Sequence, residues 1–116
     1  MNAVERLWRA LRRGDWPGAE KQLLEHVVIH WPHTGERFDR ATDYVTAHRL
    51  DLQRTSVDVR RTITEGSNVG LLAVVTYEDE TTWHLAATYE LQAAHIAYGV
   101  EVWARDGGEP VPRFRG

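Results

Sequence analysis

Apolar positions in the first half of the chain recur with the period of a helix. Val4, Leu7, Trp8 and Leu11 follow the i, i+3, i+4, i+7 spacing of one face and predict a first helix. Gly14 ends it, and Asp15 can cap a second helix that tolerates Pro17 in its first turn. This second helix would carry Trp16, Ala19 and Leu23 inward. VVIHWP (27–32) reads as a short strand stopped by Pro32. Phe38 then leads into a third helix with Asp39 as a possible cap and a stripe of Ala41, Tyr44, Val45 and His48.

From Ser56 the period changes to two. Segments 56–65, 68–78, 81–92 and 95–105 are rich in Val, Thr, Tyr and Trp and are separated by short turn-like stretches. Helices first and strands later predict an α+β domain with an antiparallel sheet. No repeat, low-complexity tract or linker divides residues 1–116, so the expectation is a single domain with an irregular tail, DGGEPVPRFRG.

Composition narrows the classes. With 42% apolar and 27% charged residues, the chain is of the globular kind that buries a core. Net charge is −3 and the fourteen Lys and Arg are scattered, which argues against a nucleic-acid partner. The absence of cysteine excludes disulfides and thiolate metal sites. No apolar run approaches the roughly 18 residues of a membrane span, and MNAVERLWRALRR lacks the apolar core of a signal peptide. A cytoplasmic protein without a membrane partner is expected. Five Trp residues are many for this length and point to pockets or interfaces.

Four stretches carry a likeness: GDWPGAEKQLLEHVVIHWP (14–32), TGERFDRATDYV (34–45), HLAATYEL (84–91) and IAYGVEVWA (96–104). Their order resembles the nuclear transport factor 2-like superfamily, closest in style to its SnoaL-like (polyketide-cyclase-like) branch. The resemblance implies a cone-shaped curved antiparallel sheet closed by three N-terminal helices around an internal pocket. Arg40 departs from the superfamily, which often has Gly before the third helix.

Strand parity assigns the pocket wall. A two-residue turn at Ala93-Ala94 pairs Gln92 with His95, although neither alanine favours the positive φ of such turns. Trp83, Leu85, Ala87, Tyr89 and Leu91 then share a face with Ile96, Tyr98, Val100 and Val102. His84, Ala86, Thr88 and Glu90 share the other with Gly99, Glu101 and Trp103. In the similar ketosteroid isomerases, the Trp corresponding to Trp103 lines the cavity. The resemblance therefore puts Trp103, Glu101, Ala86 and His84 inside. A turn at Asp79-Glu80 adds Tyr77, Val75, Ala73 and Leu71. The apolar set is left outside, as the surface of a homodimer.

The same resemblance removes an activity. The isomerase general base falls at Trp31, one oxyanion donor at Leu7 and the other near Ala86. None of these side chains can take up those roles.

His84 and Glu101 are the candidate catalytic residues, an acid–base pair in which Glu101 orients His84 or holds its proton, against a pair that merely satisfies itself. The candidate ligand wall is Trp16, Trp31, Tyr44, His48, Tyr77, Ala86 and Trp103, with His48 equally readable as a core histidine. Trp8, Trp16 and Trp31 read as hydrophobic wall and core rather than an aromatic box. His26, His30 and His33 lack the spacing of a zinc site. There is no phosphate-binding Gly-rich loop. The favoured function is binding of a small, mostly apolar molecule without a cofactor. The rivals are an isomerase-, cyclase- or lyase-type enzyme using Glu101 and His84, and a non-catalytic dimeric interaction module.

Overall fold

The computed structural model describes residues 1–107, so the expected tail, which begins at Asp106, lies outside the described residues from 108 onward. Helix α1 (Ala3–Arg13) opens with a capping box: Asn2 accepts from the Glu5 amide, and the Glu5 side chain accepts from the Asn2 amide. Its stripe of Val4, Leu7, Trp8 and Leu11 is buried, and Gly14 ends it at φ 72°. Asp15 caps α2 (Trp16–Glu20) by accepting from the Gly18 amide. This helix is a single short piece. Leu23, expected on it, begins strand β1 (Leu23–Trp31) and pairs with Ile96.

A short strand β2 (Glu36–Phe38) pairs with β1 where the sequence suggested only a lead into a helix. Helix α3 (Ala41–Arg49) buries the expected stripe of Ala41, Tyr44, Val45 and His48. Its cap is Arg40, not Asp39, whose carboxylate is turned to Arg37 at 2.6 Å. Arg40 is extended (φ −142°), a conformation open to any residue, so glycine is not required there.

Strands β3 (Arg54–Glu65), β4 (Asn68–Tyr77), β5 (Thr82–Gln92) and β6 (His95–Arg105) form the meander. The sheet order is β2-β1-β6-β5-β4-β3, and β1 runs parallel to β6. The curved sheet is therefore mixed rather than wholly antiparallel. Helix α1 packs against β3 and β6, and α3 against β1 and β2, so the helices cover the concave face. Their buried stripes meet Val69, Leu71, Ala73, Val75, Leu85 and Tyr89 in one core.

Two one-residue shifts decide which side chains face that core. The Tyr77 amide bonds to the Thr81 carbonyl across a three-residue loop with Glu80 at φ 67°, replacing the expected two-residue turn. The Ala93-Ala94 turn does form, with Gln92 opposite His95. A β-bulge follows: Leu91 pairs with Ile96 but Glu90 with Tyr98, leaving Ala97 as the extra residue.

The two shifts cancel between β4 and β6 but turn β5 over. Val75, Ala73, Leu71, Gly99, Glu101 and Trp103 face inward as expected, whereas Leu85, Ala87 and Tyr89 replace His84, Ala86 and Thr88 on the inside. The expected outer apolar surface is corrected accordingly. Leu85, Ala87, Tyr89 and Ile96 are core; the exposed apolar residues of the outer face are Ile63, Leu72, Ala86, Tyr98 and Val102.

Ala93 and Ala94 hold φ values of 50° and 66°, a region that costs an L-residue with a Cβ about 1 kcal/mol or more. Replacing the pair by Asn-Gly, which adopts such turns readily, should raise the unfolding free energy by about 1 kcal/mol. Urea denaturation would show this as a higher midpoint with an unchanged slope.

Candidate functional site

Glu101 enters the core from β6 and is fully buried. Its carboxylate accepts from Trp31 Nε1 at 2.8 Å on one oxygen and from Tyr44 Oη at 2.6 Å on the other. Tyr89 Oη also donates to that second oxygen, and accepts in turn from Trp8 Nε1 at 3.0 Å. An indole N–H can only donate, so Trp8 forces the Tyr89 hydroxyl proton toward Glu101. The network is complete with Glu101 as an acceptor. Burial raises the Glu101 pKa, and the bonds from Tyr44, Tyr89 and Trp31 pull against that rise. The two tyrosines are held well above their ordinary value, first by burial and then by the adjacent carboxylate.

Gly99 makes the arrangement possible. It pairs with Tyr89, and a Cβ there would lie 2.7 Å from the tyrosine ring. The lack of a side chain lets the ring lie over the strand and reach Glu101.

Beside this network a cavity of about 190 Å³ opens between α3 and the sheet. Trp31 and Trp103 line it from β1 and β6, and Tyr77 and Trp83 from β4 and β5. Ala47 and His48 face it from α3, and His33 and Asp51 from the adjoining loops. The rings of Trp31 and Trp103 are 6.2 Å apart and inclined at 71°, with His48 5.9 Å from Trp31. Tyr77 Oη donates to Asp51 at 2.6 Å; burial first, and then that bond, raises the tyrosine pKa. Burial lowers the pKa of His33 against the opposing charge of Glu36.

His48 meets Arg54 Nη1 through Nδ1 at 2.9 Å. A guanidinium only donates, so Nδ1 accepts and the ring proton lies on Nε2, which has no partner among the described residues. Burial, and secondarily the Arg54 charge, lowers its pKa to about 3.

Of the candidate residues, Trp31, His48, Tyr77 and Trp103 meet around the cavity. Glu101 and Tyr44 lie together in the buried network and do not line it. The pairing of Glu101 with His84 is overturned: His84 points outward, 55% exposed, 3.6 Å from Asp106. Ala86 is exposed on the outer face for the same reason, the turned-over β5. Trp16 is half-buried beside Gly14, away from the cavity.

Sequence reasoning missed Asp51, Ala47, Trp83 and Tyr89 as parts of the site. Simple alternation of polar and apolar residues along β5 was the signal for the last two. The three histidines do not converge: His30 packs on Tyr98 at the outer face and His33 on the cavity rim. Among the described residues, no helix is long and apolar enough to cross a membrane.

The helix-covered, curved mixed sheet with an interior cavity is the nuclear transport factor 2-like, or ketosteroid isomerase-like, fold. A candidate ketosteroid isomerase from Kribbella flavida superposes with a TM-score of 0.81 at 18% identity, covering 96% of this chain and 81% of its own. An LEH-like epoxide hydrolase from M. tuberculosis gives 0.72 at 16% identity, over 88% of this chain and 80% of its own. A Catenulispora acidiphila protein in complex with trimethylamine gives 0.71 at 11% identity, over 85% and 82%. No protein-family model and no curated protein matches the sequence.

The His48 environment sets a pH dependence. In the unfolded chain this imidazole titrates near 6.5, but in the folded chain near 3, so between those values the unfolded state binds the extra proton. The stability it contributes is complete above pH 6.5 and falls as pH drops toward 3. Between pH 7 and pH 5 the loss should be on the order of 2 kcal/mol. Denaturation of the protein and of His48→Gln at both pH values would isolate it. Glutamine keeps an acceptor for Arg54 but cannot titrate, and the contribution of Glu101 cancels between the two proteins. An equal loss in both would remove the assignment.

Proposed function

We propose that the protein binds a small, largely apolar molecule in the cavity between α3 and the sheet. The observation that carries this reading is the wall: three indoles, a phenol and two imidazoles surround about 190 Å³, with a single carboxylate among them. Pockets that bind small molecules combine such apolar walls with a few fixed polar groups. The fold neighbours support a ligand-binding or isomerase-like use of the interior, and one of them holds trimethylamine, a molecule small enough for this space. The isomerase-, cyclase- or lyase-type alternative loses its acid–base pair, because Glu101 and His84 are on opposite faces of the sheet.

Saturation-transfer NMR with toluene and cyclohexanol as probes should reveal saturable binding. Trp103→Ala, which removes one wall, should weaken it by about tenfold. Failure of both probes to saturate, or affinity unchanged in the variant, would refute the assignment of this cavity.

A second reading concerns the outer face. Ile63, Leu72, Ala86, Val100 and Val102 line a shallow apolar groove of about 420 Å³, with Ile63 55% and Leu72 49% exposed. Contiguous apolar surface of this kind is suited to pairing with its own copy across a two-fold axis. Light scattering at micromolar concentration should give twice the chain mass of 13.3 kDa, and Val102→Glu should reduce it to the monomer. A mass near 13.3 kDa for the unaltered protein would dispose of the dimer.

A further inference from the structure

We propose that the cavity takes a small organic cation, a methylated or protonated alkylamine group, held by the indole faces of Trp31, Trp83 and Trp103 and the carboxylate of Asp51. The inference rests on the ligand-binding reading above and names the chemical class of the ligand.

The aromatic walls supply the first reason. Trp31 and Trp103 meet edge-to-face at 71° with centroids 6.2 Å apart, and both rings line the cavity. Trp83 lines it from the neighbouring strand. An indole face carries the negative part of the ring quadrupole and attracts a cation more strongly than the other aromatic side chains do. Trp31 is also polarised, because its N–H is given to the buried carboxylate of Glu101 at 2.8 Å. A hydrogen bond from the ring edge to an anion shifts electron density onto the ring and deepens its attraction for positive charge.

The charge balance of the wall supplies the second. Asp51 is its carboxylate, and Tyr77 occupies one carboxylate oxygen with a neutral hydroxyl. Among the described residues the ion pairs are Arg37–Asp39, Arg60–Asp58 and His84–Asp106, so none of their basic side chains lies at ion-pair distance from Asp51. The basic groups in the wall are His33 and His48, both held below their ordinary pKa by burial. Arg54 gives its Nη1 to His48 Nδ1 and is not part of the wall, although its charge acts on Tyr77, the partner of Asp51. At neutral pH the wall therefore carries the one carboxylate charge of Asp51 among its aromatic rings, beside two N–H donors without a partner among the described residues, His48 Nε2 and Trp103 Nε1. An anionic ligand would meet repulsion, and a neutral hydrocarbon would take water from Asp51 without replacing it.

Size supplies the third. A cavity of about 190 Å³ is below the roughly 300 Å³ at which pockets for drug-sized ligands begin. It suits a compact headgroup.

Three probes of nearly equal shape separate the cases: choline, its neutral carbon isostere 3,3-dimethylbutan-1-ol, and the anionic 3,3-dimethylbutanoate. Isothermal titration at pH 7.5 should rank them cation, neutral, anion, with choline favoured over the neutral isostere by about tenfold. Asp51→Asn, which can still accept from Tyr77, should abolish most of that preference. Added salt should weaken choline alone. Equal or tighter binding of the neutral or anionic probe would overturn the cation assignment and leave the pocket reading intact. Binding of none of the three, nor of toluene or cyclohexanol, would overturn both. A preference for choline that survives in Asp51→Asn would remove Asp51 from the site.

Discussion

A carboxylate in a protein core is destabilising by several kcal/mol unless its lone pairs are satisfied, and Glu101 is wholly buried. Its environment answers that requirement with donors from three elements: Trp31 on β1, Tyr44 on α3 and Tyr89 on β5. Trp8 on α1 completes the chain by bonding to Tyr89. One side chain on β6 thereby ties together the first helix, the third helix and both strands that flank it. The demand extends to Gly99, where any side chain would collide with the Tyr89 ring. Removing one partner would leave a buried polar group unpaired, which is costlier than the bond itself is stabilising.

The network also determines what the cavity can be. With its N–H committed to Glu101, Trp31 has a fixed ring orientation, and it meets Trp103 at a defined corner. Glu101 itself does not line the cavity, its carboxylate being taken up by Trp31, Tyr44 and Tyr89. The carboxylate left in the wall is Asp51, from the loop after α3. A buried anion orients the walls while an accessible one faces the space they enclose.

Much of the architecture was legible in the chain. The stripe of Val4, Leu7, Trp8 and Leu11, the Gly14 stop, the Asp15 cap and the four period-two segments correspond to α1, α2 and β3 to β6. The inward stripe of Ala41, Tyr44, Val45 and His48 was equally plain. These are local consequences of which side chains shun water and which backbone shapes glycine, proline and aspartate favour. The short β2 was not readable, because three residues flanked by turns carry too little period to be told from a loop.

The sequence by itself determined α1, α3 and the four strands of the meander, the resemblance and the inward course of β4 and of β6 beyond its bulge. Alternation along β5 signalled its facing, but only the tertiary structure reconciled that facing with the inward course of β6. A side chain's face alternates with every residue, so the extra residue at Ala97 and the three-residue loop before Thr81 each invert everything beyond them. Neither carries a distinctive composition. Ala97 is a bulge because the apolar side of β5 must reach the core while Glu101 must reach Tyr44 and Trp31, and no unbroken register meets both demands. That conflict is between residues far apart in the chain, and it exists only once β1, α3 and β6 have been brought together.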